Sequence, residues 1–367
     1  MQLIYLSPVP WTSFAQRPQK FVRWFHEVTG GDVLWVEPYP SRFPSLTDLK
    51  KLRVSDRTER DTSESWLTVV NPSALPIEPL PGSGIINGYL MWKNALSAIK
   101  AFSRKKETLL VIGKPTVLAL KVLSLLMDTK SIYDAMDDFP SFYEGISKKA
   151  MSRREIAITK QVTRLIVSST DLKKKWETLR PDLTVIPNAL DAEILPKIET
   201  QKTAGSKTVI GYVGTIGAWF DWTWVIELAK ARHSDLIRII GPVYNQPKQP
   251  LPDNIELLPA CSHNEAVSAM LHFDVAIIPF LQNRLTKSVD PIKYYEFKAL
   301  GLPIISTGFG EMIYRKDESG VYLCDDHELL DSSVESALKY KANLAELEEF
   351  KITNSWNSRF SKMDITY

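Results

Sequence analysis

The hydrophobic positions in the first half of the chain form short apolar runs separated by longer amphipathic stretches. The apolar runs predict strands at 3–6, 33–36, 66–70, 108–112, 131–133 and 163–167. The amphipathic stretches predict helices at 17–28, 114–127, 141–161 and 171–179. Turn-forming residues dominate two further segments, which are predicted loops, at 41–65 and 72–81. Strands that alternate with helices in this order indicate a parallel sheet with helices on both faces.

A second alternating series begins after a polar segment that has the composition of a linker. Its strands are predicted at 208–213, 236–240, 255–258, 275–278 and from 303 onward. Its helices are predicted at 223–231, 264–271, from 291 to the glycine at 301, and at 352–363. A chain of 367 residues is long enough for two domains, each with its own core. We therefore predict an α/β protein with two doubly wound, Rossmann-like domains that face a cleft.

The predicted domain boundaries follow from the break in this pattern. They are 1–195 for an N-terminal domain, 196–207 for the linker, 208–349 for a C-terminal domain, and 350–367 for a closing helical segment. Ligands of such folds bind at the carboxyl ends of the strands. We therefore expect the functional residues in the loops that follow strands.

Composition narrows the class of protein. Hydrophobic residues make up 44% of the chain and charged residues 24%, which is typical of a soluble globular protein. The first residues lack the basic and long apolar regions of a signal peptide, and no apolar stretch is long enough to span a bilayer. Cys261 and Cys324 lack metal-site spacing, so we expect two reduced thiols in the core of a cytoplasmic protein.

The net charge of +2 is unevenly distributed. Residues 1–200 contain 28 Lys and Arg against 22 Asp and Glu, whereas the remaining 167 residues contain 17 against 21. The excess lies in four clusters, at 104–106, 148–149, 153–154 and 173–176, the last ending in a tryptophan. Such clusters can dock on anionic lipid headgroups, at about 1 kcal/mol per nearby charge, or can simply be solvated helix faces. No basic stripe interleaved with aromatic residues is present, so nucleic acid is not an expected partner.

Three glycines, Gly211, Gly214 and Gly217, follow a predicted strand and precede a predicted helix. Glycine lets the backbone approach a phosphate closely at such a turn. The spacing differs from the dinucleotide-binding fingerprint. The loop therefore predicts either a diphosphate site or a tight turn that binds nothing.

The helix predicted after Asp290 carries a cation and a carboxylate near its start. Lys293 and Glu296 are three residues apart and so share a face of the helix. The N-terminus of a helix has free N–H groups and a partial positive charge, which suit a phosphate. This combination predicts a ligand with both phosphates and hydroxyls, such as a nucleotide sugar.

Three carboxylates, Asp134, Asp137 and Asp138, follow a predicted strand of the first domain. They repel one another unless a cation, a sugar hydroxyl or a proton relieves the charge. One of them could act as a general base toward an acceptor hydroxyl, with Asp134 our first candidate and Asp138 the second. The alternative is a helix N-cap made by Asp137 or Asp138. Arg17, at the start of the first helix, could bind an acceptor phosphate or sugar, or could pair with Asp134 or Asp138.

The segment 274–307, together with the glycine loop, resembles the donor-binding signature of GT-B-fold glycosyltransferases. The Arg17-Pro-Gln19 triplet is similar to one in glycosyltransferases of bacterial polysaccharide assembly, the group 1 or family 4-like type. The resemblance implies that Glu296 binds the ribose hydroxyls and that the closing helix crosses back to the first domain. The donor site that it implies contains Gly214, Thr215, Gly217, Ser288, Asp290, Lys293, Tyr294 and Glu296.

Retaining members of this class usually carry a second glutamate eight residues before the first, and Ser288 occupies that position here. Retention and inversion of the anomeric configuration therefore both stay open. The resemblance implies transfer of a sugar from a nucleotide-diphosphate donor, in the first place a UDP-sugar, to a hydroxyl of a surface polysaccharide or lipid-linked glycan. The alternatives are a nucleotide-sugar epimerase of the same fold and a non-catalytic nucleotide-binding or scaffold protein.

We expect no metal and no other cofactor. The five histidines have no ligand-like spacing, and the helix end with Lys293 could stabilise the departing diphosphate without a metal. The expected partners are the nucleotide sugar, a glycan or lipid-linked acceptor, and an anionic membrane surface that the basic first domain would contact. The expected location is the cytoplasm, with peripheral attachment to the inner face of the cell membrane.

Overall fold

The computed structural model describes residues 1–14, 16–41, 64–196, 207–363 and 365. The chain divides into two compact units, Met1–Ile186 and Pro187–Tyr367. Most of the predicted linker and of the predicted loop at 41–65 lies outside the described residues.

The first unit is built on a seven-stranded parallel sheet. Its strands are β1 Gln2–Leu6, β2 Val33–Val36, β3 Leu67–Val70, β4 Thr108–Ile112, β5 Lys130–Ala135, β6 Arg164–Val167 and β7 Thr184–Val185. Their order across the sheet is β3-β2-β1-β4-β5-β6-β7. The direction of winding reverses between β1 and β4, and doubly wound sheets bind ligands outside the carboxyl ends of the strands at such a point.

Helices cover this sheet and bury its central strands. They are α1 Arg17–Thr29, α2 Ser83–Leu90, α3 Lys93–Ser103, α4 Val117–Leu125, α5 Gly145–Gln161 and α6 Thr170–Trp176. Every residue of β1, β2 and β4 is buried, as expected for parallel strands covered on both faces. The rings of Tyr5 and Trp35 stack between β1 and β2 with their centroids 5.3 Å apart. Truncation of such a fully buried aromatic side chain costs about 3–5 kcal/mol.

The second unit contains a six-stranded parallel sheet. Its strands are β8 Val209–Val213, β9 Leu236–Ile240, β10 Ile255–Leu258, β11 Val275–Ile278, β12 Ile304–Ser306 and β13 Val321–Leu323. Their order is β10-β9-β8-β11-β12-β13, so the winding reverses between β8 and β11. The glycine loop follows β8, and the segment that leads to Asp290 follows β11. The switch point of this sheet is therefore flanked by the two segments singled out from the sequence.

The helices of the second unit are α7 Trp222–Ala231, α8 His263–Met270, α9 Ile292–Ala299, α10 Leu330–Leu338, α11 Leu344–Thr353 and α12 Trp356–Phe360. Helix α9 ends as predicted, because Gly301 adopts a left-handed φ of 70° that glycine tolerates without strain. The N–H groups of Gly301 and Leu302 then bond to the carbonyls of Lys298 and Phe297 at 2.9 Å and 3.1 Å.

The predicted α/β architecture is confirmed, and β2, β4, β9, β10 and β11 have the predicted bounds. The single closing helix predicted at 352–363 is wrong. The chain breaks between α11 and α12, where the Ser355 hydroxyl accepts a hydrogen bond from the Ser358 N–H at 3.2 Å and caps a new helix. The predicted core placement is confirmed for Cys324, which is buried, and is wrong for Cys261, which is exposed.

Two parts of the domain prediction stay predictions. These are the boundaries at 195 and 208 and the packing of the closing segment on the first domain. Within the second unit, the C-terminal segment bonds to the residues that follow Ile186. The Leu190 N–H donates to the Asn354 carbonyl at 3.0 Å, and the Trp356 N–H donates to the Leu190 carbonyl at 3.2 Å. None of the helices in the described ranges is long and apolar enough to cross a membrane.

Candidate functional site

Asp134 and Arg17 form a buried ion pair at the carboxyl end of β5. Arg17 Nε lies 3.0 Å from both carboxylate oxygens, and Nη2 lies 2.9 Å from Oδ1. Arg17 Nη1 also donates to the carbonyl of Ile186 at 2.8 Å. Both side chains are almost completely buried, so loss of either one would leave an uncompensated charge. The ion-pair alternative for Arg17 is therefore the one that the structure shows.

Asp138 belongs to a second network. The ammonium of Lys175 lies 2.6 Å from Oδ1 of Asp138 and 2.7 Å from Oε2 of Glu155. The Tyr133 hydroxyl donates to the other oxygen of Glu155 at 2.9 Å. Burial raises the pKa of the Glu155 carboxyl, and the charge of Lys175 opposes this shift. Asp138 makes no side-chain cap to the 3-10 helix Phe139–Phe142 that follows it, so the N-cap alternative is wrong for this residue.

Asp137 is the carboxylate of this group that has no partner. It is half-buried, and its carboxylate has no hydrogen bond or ion pair with any described residue. Burial raises the pKa of Asp137 to about 7, the nearby Arg17 charge lowers it, and Asp134 and Asp138 raise it further. A general base works best when its pKa lies near the working pH. Asp137 thus differs from Asp134 and Asp138, whose carboxylates are paired, and a base role for any of the three stays a prediction.

A small pocket lies beside the switch point of the first sheet. It is lined at the carboxyl ends of β1, β2 and β4 by residues that include Ser7, Glu37, Tyr39, Lys114 and Thr116. Burial raises the pKa of Glu37, while a hydrogen bond from the Trp11 N–H at 3.0 Å lowers it. The cavity volume is only about 10 Å³, which is room for a single water molecule and not for a sugar.

The N-terminus of α4, near this pocket, is already capped by side chains. The N–H of Val117 donates to Glu78 at 3.2 Å, that of Leu118 to the Tyr39 hydroxyl at 3.2 Å, and that of Ala119 to Thr116 at 3.1 Å. These are the groups that would otherwise bind an anion. This helix end is therefore not a phosphate site.

In the second unit, packing explains two of the three loop glycines. A Cβ atom on Gly211 would lie 2.3 Å from the Phe273 ring, and one on Gly217 would lie 2.6 Å from the Trp219 ring. The Ile216 N–H donates to the carbonyl of Pro242 at 3.0 Å, which ties the loop to the segment after β9. The tight-turn alternative thus explains why positions 211 and 217 are glycine.

The same loop nevertheless presents free donors. Within the described residues, the N–H groups of Thr215, Gly217 and Ala218 donate to no protein acceptor. The loop also meets the segment that follows β11, because the Leu281 N–H donates to the Trp219 carbonyl at 2.7 Å. Unsatisfied N–H groups in successive turn residues form a concave anion-binding surface. The diphosphate role of Gly214, Thr215 and Gly217 stays a prediction, now with specific donor groups.

Asp290, by contrast, is fully engaged inside the protein. It accepts hydrogen bonds from Arg315 Nη2 at 2.6 Å, the Tyr295 hydroxyl at 2.9 Å and the Asn188 N–H at 2.8 Å. Asp290 is itself buried. These contacts fix the start of α9, so we assign Asp290 a positioning role ahead of direct donor contact.

Two other predicted donor residues are also turned inward. The Tyr294 hydroxyl donates to Glu318, and its ring lies 3.7 Å from the Arg315 guanidinium carbon. Burial raises the pKa of Tyr294 above its ordinary range. Ser288 is buried as well. Contact of Tyr294 and Ser288 with a donor stays a prediction, and the burial of both side chains argues against it.

Lys293 and Glu296 share one face of α9, as predicted. Lys293 Nζ lies 2.5 Å from Oε2 of Glu296, and the lysine side chain is partly open to solvent. The N–H groups of Ile292 and Lys293, in the first turn, donate to no acceptor in the described part of the chain. A cation, a carboxylate and free helix N–H groups therefore lie within one and a half turns of helix.

Some of the basic clusters are not available for lipid. Trp176 is buried, Lys175 is paired with Asp138 and Glu155, and Arg154 is buried in an ion pair with Glu78. Trp176 cannot insert among lipid headgroups, but Lys173 and Lys174 of the same cluster are exposed, so docking through this cluster stays a prediction. The side chains were assigned to the surface because sequence alone does not show which turn of a helix faces the core.

Metal ligands are a separate question. Among the residues that the structure describes, no three His, Cys, Asp or Glu side chains lie together as a metal site would require. Independence from metal stays a prediction.

No family model and no curated protein sequence matches this chain. Solved structures do match it over nearly its full length. A sucrose-phosphate synthase from Thermosynechococcus elongatus has a TM-score of 0.65 at 13% identity, with 99% of this chain and 97% of that chain covered. The chain has the GT-B fold.

Two further GT-B structures agree. The lipopolysaccharide outer core galactosyltransferase WaaB has a TM-score of 0.62 at 10% identity and covers 99% of this chain and 98% of its own. AviGT4, a glycosyltransferase involved in avilamycin A biosynthesis, has a TM-score of 0.60 at 10% identity, with coverages of 98% and 95%. The GT-B fold expected from the sequence is thus confirmed. Identities this low establish the fold and leave donor and acceptor to be argued from the side chains.

Proposed function

We propose that this GT-B protein is a glycosyltransferase that moves a sugar from a nucleoside-diphosphate donor to a glycan hydroxyl. The observation that carries the proposal is the Lys293–Glu296 pair on α9, beside the switch point of the second sheet. The fold supports it, since structures that match the whole chain are named as a galactosyltransferase and a sucrose-phosphate synthase.

The donor binds to the second unit in this proposal. The Glu296 carboxylate accepts hydrogen bonds from the two ribose hydroxyls, and Lys293 contributes a positive charge. The free N–H groups of Thr215 and Gly217, with those at the start of α9, receive the diphosphate oxygens. These donors stabilise the charge that develops on the diphosphate as it leaves, so no metal is required.

The acceptor binds to the first unit, and Asp137 is the general base. The acceptor oxygen attacks the anomeric carbon while Asp137 takes the hydroxyl proton. The bond from the anomeric carbon to the diphosphate oxygen breaks, and the nucleoside diphosphate leaves with the electron pair. A base of this kind acts in a single displacement, so the proposed transfer inverts the anomeric configuration. The buried Arg17–Asp134 pair positions the base, and Asp138 anchors the same segment.

The choice of donor and acceptor rests on the charge of the first 200 residues and on the similarity to one solved structure. We propose a UDP-sugar as donor and a surface-polysaccharide or lipid-linked glycan as acceptor. WaaB, which matches the whole chain, is named for the lipopolysaccharide outer core. The excess of basic residues in 1–200 favours a protein attached to the inner face of the cell membrane, where a lipid-linked acceptor would be presented.

The proposal is tested by incubating the protein with UDP-, GDP- and dTDP-sugars and following each donor by NMR. We expect release of the nucleoside diphosphate from one donor, faster when a lipid-linked glycan is added. Conversion of a donor into an isomer without release of the diphosphate would replace the proposal with an epimerase. A protein that neither binds nor consumes any of these donors is not a glycosyltransferase of this kind.

A further inference from the structure

Helix α2 has its polar and apolar faces reversed relative to an ordinary surface helix. The buried side chains are polar, Ser83 and Asn87. The most exposed side chains are apolar or aromatic: Ile85 at 74%, Ile86 at 43%, Tyr89 at 84% and Leu90 at 62%. These four positions form one face, since they stand at i, i+1, i+4 and i+5. A soluble protein rarely presents a continuous apolar helix face without a partner.

The buried polar side chains fix this helix in place. Asn87 accepts a hydrogen bond from the Leu75 N–H at 2.8 Å and donates to the Leu75 carbonyl at 3.2 Å. The Ser83 hydroxyl donates to the carbonyl of Glu78 at 3.0 Å. A Cβ atom on Gly84 would lie 2.5 Å from the Val117 side chain, so α2 packs closely on α4 through its glycines. The apolar face is therefore held outward by the fold.

The chain that follows this helix is cationic. Residues 79–106 contain five Lys and Arg and no Asp or Glu. Lys93, Lys100 and Arg104 are exposed along one side of α3 and have no ion-pair partner among the described residues. A Cβ atom on Gly88 would lie 2.9 Å from the ammonium of Lys121, which places a further cation against α2.

We propose that the α2 face docks the protein on an anionic lipid bilayer, with Ile85, Ile86, Tyr89 and Leu90 inserted between the headgroups. Apolar insertion beside unpaired cations is the combination that binds interfacial helices to anionic membranes. Charge complementarity selects this occupant, because a second copy of the chain would bring the same positive charge to the contact. The inference rests on the membrane association in the proposed function and names the element that carries it out.

The test measures binding of the full chain to vesicles by flotation. Phosphatidylcholine vesicles are compared with vesicles that contain about 30 mol% phosphatidylglycerol, which supply the anionic surface. The variant Ile85→Ser/Tyr89→Ser removes two side chains from the face. The matched control is Tyr244→Ser/Ile352→Ser, whose side chains are 78% and 70% exposed in the second unit.

We expect the wild type and the control variant to float with the anionic vesicles. Their partition to the neutral vesicles should be lower by about 10-fold or more. The α2 variant should lose about 10-fold or more in partition to the anionic vesicles. Replacing Lys93, Lys100 and Arg104 with Gln should weaken binding and make it less sensitive to salt.

Three outcomes overturn the inference. They are no binding by the wild type, equal binding by the α2 variant, and a wild-type dimer that the α2 variant abolishes. Donor turnover by the same proteins separates this inference from the proposed chemistry, since α2 is remote from the nucleotide-binding residues in sequence and unit. Vesicle binding without donor turnover would leave the docking surface standing and remove the glycosyltransferase. Donor turnover without vesicle binding would leave the glycosyltransferase standing and remove the docking surface.

Discussion

Arg17 lies across both carboxylate oxygens of Asp134, with Nε 3.0 Å from each. The pair is buried, and it places a positive charge beside Asp137, the neighbouring carboxylate that has no partner in the described residues. A base that must accept a proton needs an accessible oxygen. The pair therefore makes Asp137, ahead of Asp134, the residue to test.

Replacement of Asp137 by Asn should lower kcat by about 100-fold or more, since general bases contribute about 10²–10⁴. The KM for the donor should change little, because the proposed donor site lies in the second unit. Steady-state kinetics with the identified donor checks this. Asp128→Asn, an exposed residue of the same unit, is the control and should retain full activity. An Asp137→Asn enzyme as active as this control would remove the base assignment.

The pH dependence follows from the raised pKa of Asp137, which is about 7. A general base works only when deprotonated, so kcat/KM should rise with pH through about 7 and then level off. The folded protein binds this proton more tightly than the unfolded chain does. The protonated group therefore stabilises the fold at low pH, and that contribution is lost as the pH rises through about 7.

The Asp137→Asn variant should accordingly gain thermal stability relative to the wild type at about pH 8 and gain less at about pH 5. Scanning calorimetry of both proteins at the two pH values measures the difference. A difference in Tm that does not depend on pH would show that Asp137 has an ordinary pKa.

Breaking the Arg17–Asp134 pair should destabilise the first unit. Arg17→Ala or Asp134→Ala alone leaves a buried unpaired charge and should cost about 3–5 kcal/mol. The double variant Arg17→Ala/Asp134→Ala should cost clearly less than the sum of the two single changes. Arg23→Ala, an exposed arginine of the same helix, should cost less than about 1 kcal/mol. Additive single changes, measured by urea unfolding, would mean that the two charges are not coupled.

Variants of Asp290 and Glu296 should differ in thermal stability, because only Asp290 is assigned a structural role. Asp290→Ala removes three buried hydrogen bonds, including that from Arg315, and should lower the Tm by several degrees. Glu296 is also buried, but its partner Lys293 is partly exposed and can turn to solvent, so Glu296→Ala should lower the Tm by clearly less than Asp290→Ala does. Thermal unfolding of the two variants distinguishes the roles. Equal losses of Tm would make Glu296 another structural acid.

The sequence predicted well what local pattern determines. The apolar runs marked the buried strands, Gly301 marked the end of α9, and the spacing of Lys293 and Glu296 placed them on one face. These features depend on residues close together in the chain. Helical and strand periodicity, glycine at a C-cap and i, i+3 neighbours are all short-range effects.

The choice among the three carboxylates depends on distant partners. Asp134 is neutralised by a residue 117 positions away and Asp138 by one 37 positions away, and no local pattern shows either contact. Helix α2 was missed for a different reason. It is only eight residues long and contains Gly84 and Gly88, and glycine disfavours a helix interior, so no helical pattern stands out there.

The donor-site claim is tested most directly by calorimetric titration of UDP, with GDP and dTDP as comparisons, into three proteins. They are the wild type, Glu296→Ala and Glu349→Ala, the last altering an exposed glutamate of the same unit. We expect the wild type and Glu349→Ala to bind one nucleotide with equal affinity. Glu296→Ala should bind it about 10-fold or more weakly, because two hydrogen bonds to a charged acceptor are lost. Equal affinity of all three proteins, or no binding of any nucleotide by the wild type, would contradict the account.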